Sequence, residues 1–314
     1  MSLLRQVHVC CIVLGLVVCQ GVVTADEPPV PPTISEVKEV LAAARPGTRP
    51  DIAARPLRIL LLADQKDHGP GEHDYPRWQS RWALLLGGVT ATHERYANLD
   101  GVDISEPALL AGAENVRVIT ADQWPTAEQW KQADVVVIFC YLTWNPERMA
   151  ELRQYLEGGG GVVMVHSATW TRQGPDPEIA KLIGVGGFTK YRHGAIDVTI
   201  SKADHPICQG LPQVIRLVDE SYFPPAPPID AERVQVLAVS EEISDDGHVA
   251  TAQPMFWTYE LGKGRVYGCV PGHYNWTFDN PYFRLLLLRG TAWAAKEDPR
   301  RFDPIVLRGA AVRK

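Results

Sequence analysis

Hydrophobic positions along the chain fall into two regimes. In the first, they gather into unbroken runs: LRILLLA at 57–63, DVVVIFC at 134–140 and GVVMVH at 161–166. Such runs suit strands buried on both faces of a parallel sheet. Between them the spacing becomes helical. Trp78, Trp82, Leu85 and Leu86 share one face of 77–86, and Met149, Leu152, Tyr155 and Leu156 share one face of a helix from Pro146 to Glu157. Pro146 suits a first helical turn, and Gly158 to Gly161 stop that helix. Further strands are predicted at 89–96 and 116–120, with short helices at 34–44 and from Thr126 onward.

After Ala195 the second regime begins. Strands are predicted at 195–200, 214–218, 234–239, 254–259 and 265–270, and a closing helix at 281–295 packs Phe283, Leu286, Leu287 and Trp293. Strands alternating with amphipathic helices predict an α/β fold. The sheet is expected to be doubly wound and mostly parallel, with helices on both faces and extra β-rich insertions toward the C-terminus.

The ends modify this picture. Arg5, an apolar run from Val7 to Val18 and a small-residue site before Asp26 read as a signal peptide over 1–25. The run is short for a membrane span, and no later stretch is long and apolar enough to be one. The expected location is therefore periplasmic or extracellular. A lipoprotein signal ending at Cys19 is the lesser alternative, because Val18 is bulky where a small residue belongs. The proline-rich leader and short helix occupy 26–56, one domain spans 57–296, and 297–314 form a tail. The 314 residues carry a formal net charge of −6 with no Lys/Arg cluster, which argues against nucleic acid as a partner. Cys140, Cys208 and Cys269 are too few and too scattered for a disulfide framework.

Candidate chemistry follows from the rule that open α/β sheets bind ligands beyond the carboxyl ends of their strands. The loop after 57–63 delivers Asp67, His68, His73 and Asp74. The next strand ends deliver Tyr141 and Trp144, then His166, Ser167 and Trp170. Asp219, Glu220 and Tyr222 follow 214–218, and His273, Asn275 and Trp276 follow 265–270. Four histidines thus share one predicted edge. Each admits a structural explanation, such as a strand-end imidazole capped by a carbonyl, and the tryptophans could be core. Imidazoles beside carboxylates suit acid–base work, and tryptophans with polar neighbours suit stacking on a sugar ring. His68 and His73 are candidate ligands for zinc or a related divalent ion, although their spacing matches no standard metal motif. Lys190 to His193 read as a solvated basic face. No G-x-S-x-G elbow, P-loop, H-E-x-x-H or strand-following G-x-G-x-x-G is present.

The stretches GGGGVVMVHSATW (158–170), DHPICQGLP (204–212), VDESY (218–222) and ELGKGRVYGCVPGH (260–273) resemble the trehalose-utilisation ThuA-like family over about 57–295. The resemblance implies a flavodoxin-like, class I glutamine amidotransferase-like fold. The amidotransferase nucleophile is a cysteine on the turn where this chain has His166-Ser167, so glutaminase activity is not expected. The family's association with sugars, including 3-keto disaccharides, implies a hydrolase or lyase for a small carbohydrate. His166 and His273 would shuttle protons, with Glu220 orienting or acting as the acid. Asp67, Tyr141, Trp144, Trp170, Tyr222, Asn275 and Trp276 would hold the substrate. Two alternatives stay open: a non-catalytic sugar-binding or sensing protein, and a hydrolase using Ser167.

Overall fold

A computed structural model describes residues 27–44, 54–88, 112–171, 174–226, 230, 232–243 and 249–314. The signal segment and the strand expected at 89–96 lie outside these residues.

The described elements run in the order α1 (Ile34–Ala43), β1 (Leu57–Ala63), α2 (Tyr75–Gly87), β2 (Val116–Asp122), α3 (Ala127–Gln132), β3 (Val135–Ile138), α4 (Pro146–Glu157), β4 (Gly161–Val165) and α5 (Pro177–Ile183). Then come β5 (Lys190–Ile200), β6 (Val214–Phe223), β7 (Val234–Ile243), β8 (Ala250–Leu261), β9 (Gly264–Cys269) and α6 (Pro281–Ala294). One nine-stranded sheet has the order β2-β1-β3-β4-β9-β8-β7-β5-β6. From β2 to β9 the pairs are parallel, and from β9 to β6 they are antiparallel.

Burial explains the division. β3 and β4 are buried at every position and β1 at all but Arg58, as central parallel strands require. β5 alternates buried and open positions over its inner part, the mark of a strand with one covered face. Each fully buried Leu or Val contributes about 1.5–3 kcal/mol, so the apolar β1–β3–β4–β9 centre is the rigid frame. α6 is buried almost all round, including Arg284 and Arg289. Arg289 is held by both oxygens of Asp303, each at 2.9 Å, and by the carbonyls of Ile207 and Gln209. Residues 297–314 are packed rather than loose: Phe302 and Val306 are in the core, and Arg313 bridges to Thr33.

Several strand boundaries differ from the sequence expectation, and two of them bear on function. β5 begins at Lys190 instead of Ala195, and β6 continues to Phe223 instead of ending at Val218. The two strands form an antiparallel ribbon in which His193 faces Glu220 and Tyr191 faces Tyr222. Arg192 therefore belongs to no solvated basic face. Its guanidinium pairs with the buried Glu242 at 2.5 and 3.0 Å, and Glu242 also accepts from Ser221 and Ser240 at 2.7 Å each.

Candidate functional site

The parallel strands end in turns that are bonded to one another. His166 follows β4 with a left-handed backbone, φ 49°, and His73 is also left-handed, φ 38°. Such conformations persist in non-glycine residues when their surroundings hold them. Here the holding bonds are visible. The His73 N–H donates to the His273 carbonyl at 3.0 Å, and the Asn275 N–H donates to the Gly71 carbonyl at 2.8 Å. The 64–74 loop is thereby stitched to the turn after β9. Gly272 makes that turn possible: its φ is +143°, and a Cβ there would stand 3.0 Å from the Cβ of His166.

β6 completes the arrangement with two carboxylates of different duty. Asp219 is fully buried and accepts the backbone N–H groups of Gly272 at 3.1 Å, His273 at 2.9 Å and Glu220 at 2.7 Å, as well as the Thr277 hydroxyl. It fixes the turn that carries His273. Glu220 points to the imidazoles instead. One of its oxygens lies 2.8 Å from His273 Nδ1 and 3.2 Å from His166 Nε2.

His73, His166, Glu220 and His273 are all buried, and one potential donor atom from each lies within 4.8 Å of the others. His166 Nε2 is 2.9 Å from His73 Nε2 and 2.8 Å from the Tyr222 hydroxyl, while its Nδ1 donates to the Val270 carbonyl at 2.6 Å. His73 Nδ1 meets the Tyr75 hydroxyl at 2.9 Å and Asp67 at 3.1 Å.

Burial pushes His73 far below the usual histidine range, and the neighbouring imidazoles push the same way. Burial would raise the Glu220 carboxyl, but His166 and His273 outweigh it and hold Glu220 well below the ordinary carboxylate value. Burial lowers His273, yet Glu220 more than compensates and its balance is upward. His193 is lowered by burial despite Glu220 nearby. Burial, with Glu220 adding to it, drives the Tyr222 phenol well up, so it stays protonated.

Above this group opens a cavity of about 410 Å³. Glu220, His273 and Tyr222 line its deep side, Tyr141 and Trp170 its flanks, and His68, Glu72, Tyr191 and His193 its remaining walls. A larger hollow of about 1090 Å³ lies at β7 and β8. Lys202, Glu232, Arg233 and Gln235 there face solvent, and none of the candidate site residues borders it.

Of the candidates, His68, Tyr141, Trp170, Glu220, Tyr222 and His273 meet in the cavity. His73 and His166 sit directly behind it. Asp67 backs His73 and also meets His68 Nδ1 at 2.8 Å. Asp67 and three further expected substrate contacts do not line it. Trp144 is buried against Trp124, with ring centroids 6.2 Å apart. The Trp276 indole stacks on Tyr274 at 4.3 Å and donates to the Val218 carbonyl at 2.8 Å. Asn275 begins a short 3-10 helix whose backbone N–H is already bonded to Gly71. Ser167 is fully buried outside the cavity walls, which removes the ground for a serine nucleophile. Glu72, Tyr191 and His193 were not among the candidates. Tyr191 and His193 are two residues apart, the spacing of one strand face, and that is the signal in KYRH that a strand reading would have caught.

A family model described as ThuA, trehalose utilisation, matches residues 83–294. The chain is similar in structure to a ThuA-like protein from Bacteroides uniformis ATCC 8492, with 18% identity, a TM-score of 0.53, and 81% of this chain and 99% of that one covered. It is also similar to a ThuA-like protein from Parabacteroides merdae ATCC 43184, with 20% identity, a TM-score of 0.49, and coverage of 76% and 90%. No curated protein matches it. The first of these structures shows a shared mixed α/β fold. Among the described residues, no helix is long and apolar enough to cross a membrane.

Proposed function

The chain belongs to the ThuA family of trehalose utilisation, and from that premise we propose that it is an exported enzyme acting on a small sugar or keto-glycoside by hydrolase- or lyase-type acid–base chemistry. The observation that carries this reading is the cavity itself. A buried imidazole–carboxylate floor opens into a space walled by Trp170, Tyr191, Tyr222 and Tyr141. Aromatic faces stack on the C–H faces of a sugar ring, while the polar floor meets its oxygens.

The roles divide by depth. Glu220 and His273 form the floor that holds the reacting oxygen. His193 and Glu72 stand higher, and Glu72 lies 3.8 Å from His273 Nε2. His193 is kept neutral by burial and suits taking a proton, with its Nδ1 3.1 Å from the Tyr274 hydroxyl. Glu72, about as open as His193, would exchange the second proton. His166 lies behind the floor, so proton shuttling passes from it to these wall residues. Right-handed crossovers from β1 in both directions would give the doubly wound arrangement with helices on both faces. The leader over 1–25 supports export, and the N-terminal residue of protein recovered outside the cytoplasm tests it: Asp26 is expected.

The activity test offers the purified full-length chain ordinary disaccharides and 3-keto-glucosides and follows product. Turnover that falls about 100-fold or more in His193→Ala or Glu72→Gln supports the reading. Binding of the same sugars without turnover makes the protein a sugar-binding or sensing protein. Neither binding nor turnover with any of them overturns the carbohydrate reading.

A further inference from the structure

The cavity floor brings electron-rich atoms face to face. The Val270 carbonyl can only accept, so His166 Nδ1, 2.6 Å away, carries the proton and Nε2 turns a lone pair inward. Asp67 lies 3.1 Å from His73 Nδ1 and by the same logic places a lone pair on His73 Nε2. These two Nε2 atoms are 2.9 Å apart. A Glu220 oxygen approaches His166 Nε2 at 3.2 Å and His273 Nδ1 at 2.8 Å. Neither nitrogen of the buried His273 ring makes a hydrogen bond of proper geometry. The protonated Tyr222 hydroxyl, 2.8 Å from His166 Nε2, can donate to only one of these atoms, whereas one cation at their centre can serve them all.

We propose that His73, His166, Glu220 and His273 together hold a single divalent first-row transition-metal ion. The inference rests on the reading that this cavity is the working site and adds the group that makes its floor electrophilic. Donors bound to one ion at about 2.0–2.2 Å stand about 2.8–3.6 Å apart at adjacent positions. The observed separations of 2.9, 3.2 and 2.8 Å fall in that range.

The outer contacts agree. A metal-bound imidazole commonly gives its other N–H to a carboxylate or a carbonyl, which fixes its tautomer. Asp67 does this for His73 and Val270 for His166, and Glu72 stands 3.8 Å behind His273 Nε2. Three imidazoles and a carboxylate suit zinc, iron, cobalt or manganese, and burial on all four favours an ion over bulk-like hydration. Glu220 and His273 line the cavity, so the ion borders the space where a substrate oxygen would rest. Asp67, His68 and His73 also converge, but Asp67 and His68 are exposed and Asp67 is directed to His73 Nδ1. That group is the outer support of the ion and not a second site.

The test uses full-length protein purified without chelators, then stripped and titrated separately with zinc, manganese and cobalt salts. One ion per chain is expected, with a raised melting temperature and, for cobalt, a visible ligand-field band. His166→Gln and Glu220→Gln should each cut stoichiometric binding at least tenfold. Asp67→Ala should weaken affinity about 10–100-fold, and His68→Ala should keep one ion per chain. Should a variant fail to fold, the cobalt band of the wild-type chain still reports nitrogen and oxygen ligands. Less than about a tenth of an ion per chain with every metal, and no thermal shift, overturns the proposal and leaves His73 and His166 joined by an ordinary hydrogen bond. A stoichiometric ion lost in His68→Ala but retained in His166→Gln also overturns it. An ion with neither sugar binding nor turnover sustains the metal centre and sinks the carbohydrate reading. Turnover in metal-free protein does the reverse.

Discussion

The parallel and antiparallel halves of the sheet supply the site by different means. In the parallel half, the functional side chains lie just past the strand ends. His73 is in the loop after β1, His166 follows β4 and His273 follows β9; backbone bonds join the first and last of these turns, and the bond from His166 Nδ1 to the Val270 carbonyl ties in the second. In the antiparallel half they lie within strands: His193 on β5, and Glu220 and Tyr222 on β6. The first half fixes a rigid imidazole floor. The second brings a carboxylate against that floor and an aromatic wall beside it. A turn residue is held by bonds to the other turns, whereas a strand residue is tied to its register, so the two halves should answer differently to substitution.

The largest effect expected is on catalysis from the antiparallel side. Glu220→Gln should lower kcat/KM by about 10²–10⁴-fold, as read by steady-state kinetics on a sugar that the wild type turns over. A loss under tenfold would show that β6 only shapes the cavity, and the comparison between halves would fail. Next in size is the bond that joins them. Asp219→Ala leaves three backbone donors and a hydroxyl without their buried acceptor and should cost about 2–4 kcal/mol in urea unfolding. Activity should fall with it, because the His273 turn loses its anchor. An unchanged unfolding midpoint would mean that the turn is held by the parallel half alone.

A smaller effect belongs to the wall. Trp170 lies 4.8 Å from Tyr222 and 6.2 Å from Tyr191, ring centre to ring centre. Trp170→Ala should raise KM about tenfold with kcat within a few-fold, the pattern of lost uniform binding. Equal falls in kcat and kcat/KM would assign Trp170 to the reacting centre instead.

The smallest effect is a control away from the site. Burial lowers His205, with Asp204 opposing, and its Nδ1 accepts the Ile207 N–H at 3.3 Å, a bond that only an unprotonated Nδ1 can accept. Since the folded value lies below the unfolded one of about 6.5, the unfolded chain binds more protons as pH falls through that value. The contribution is complete above about pH 6.5 and is lost below it. His205→Gln should reduce the stability lost between pH 7 and 5 without altering the sugar kinetics at pH 7. An identical acid loss in this variant would remove His205 from the account.

Legibility from sequence follows the same division. The runs LRILLLA, VVVI and GVVMV announce central strands because burial on both faces leaves no polar positions to confuse the pattern. The rule of carboxyl ends then reaches His73, His166 and His273. It reaches Glu220 and Tyr222 for a mistaken reason: they were expected past a strand end, and they sit inside β6. His193 and Tyr191 were hidden because Lys190 and Arg192 alternate with them, and the partner that draws Arg192 inward, Glu242, is 50 residues away. Trp144 and Trp276 misled because polar sequence neighbours say little about where an indole finds its contact. For Trp276 that contact is a carbonyl 58 residues earlier.

The β5–β6 ribbon carries a further consequence for how this protein can change over generations. Its paired positions run in unbroken order from Lys190 with Phe223 to Thr199 with Val214. Adding or deleting one residue would turn Glu220 and Tyr222 to the opposite side if made in β6, and Tyr191 and His193 if made in β5, while a two-residue change would restore their aim. Length variation among homologues should therefore come in even steps within the ribbon, and freely in the turn that joins its strands.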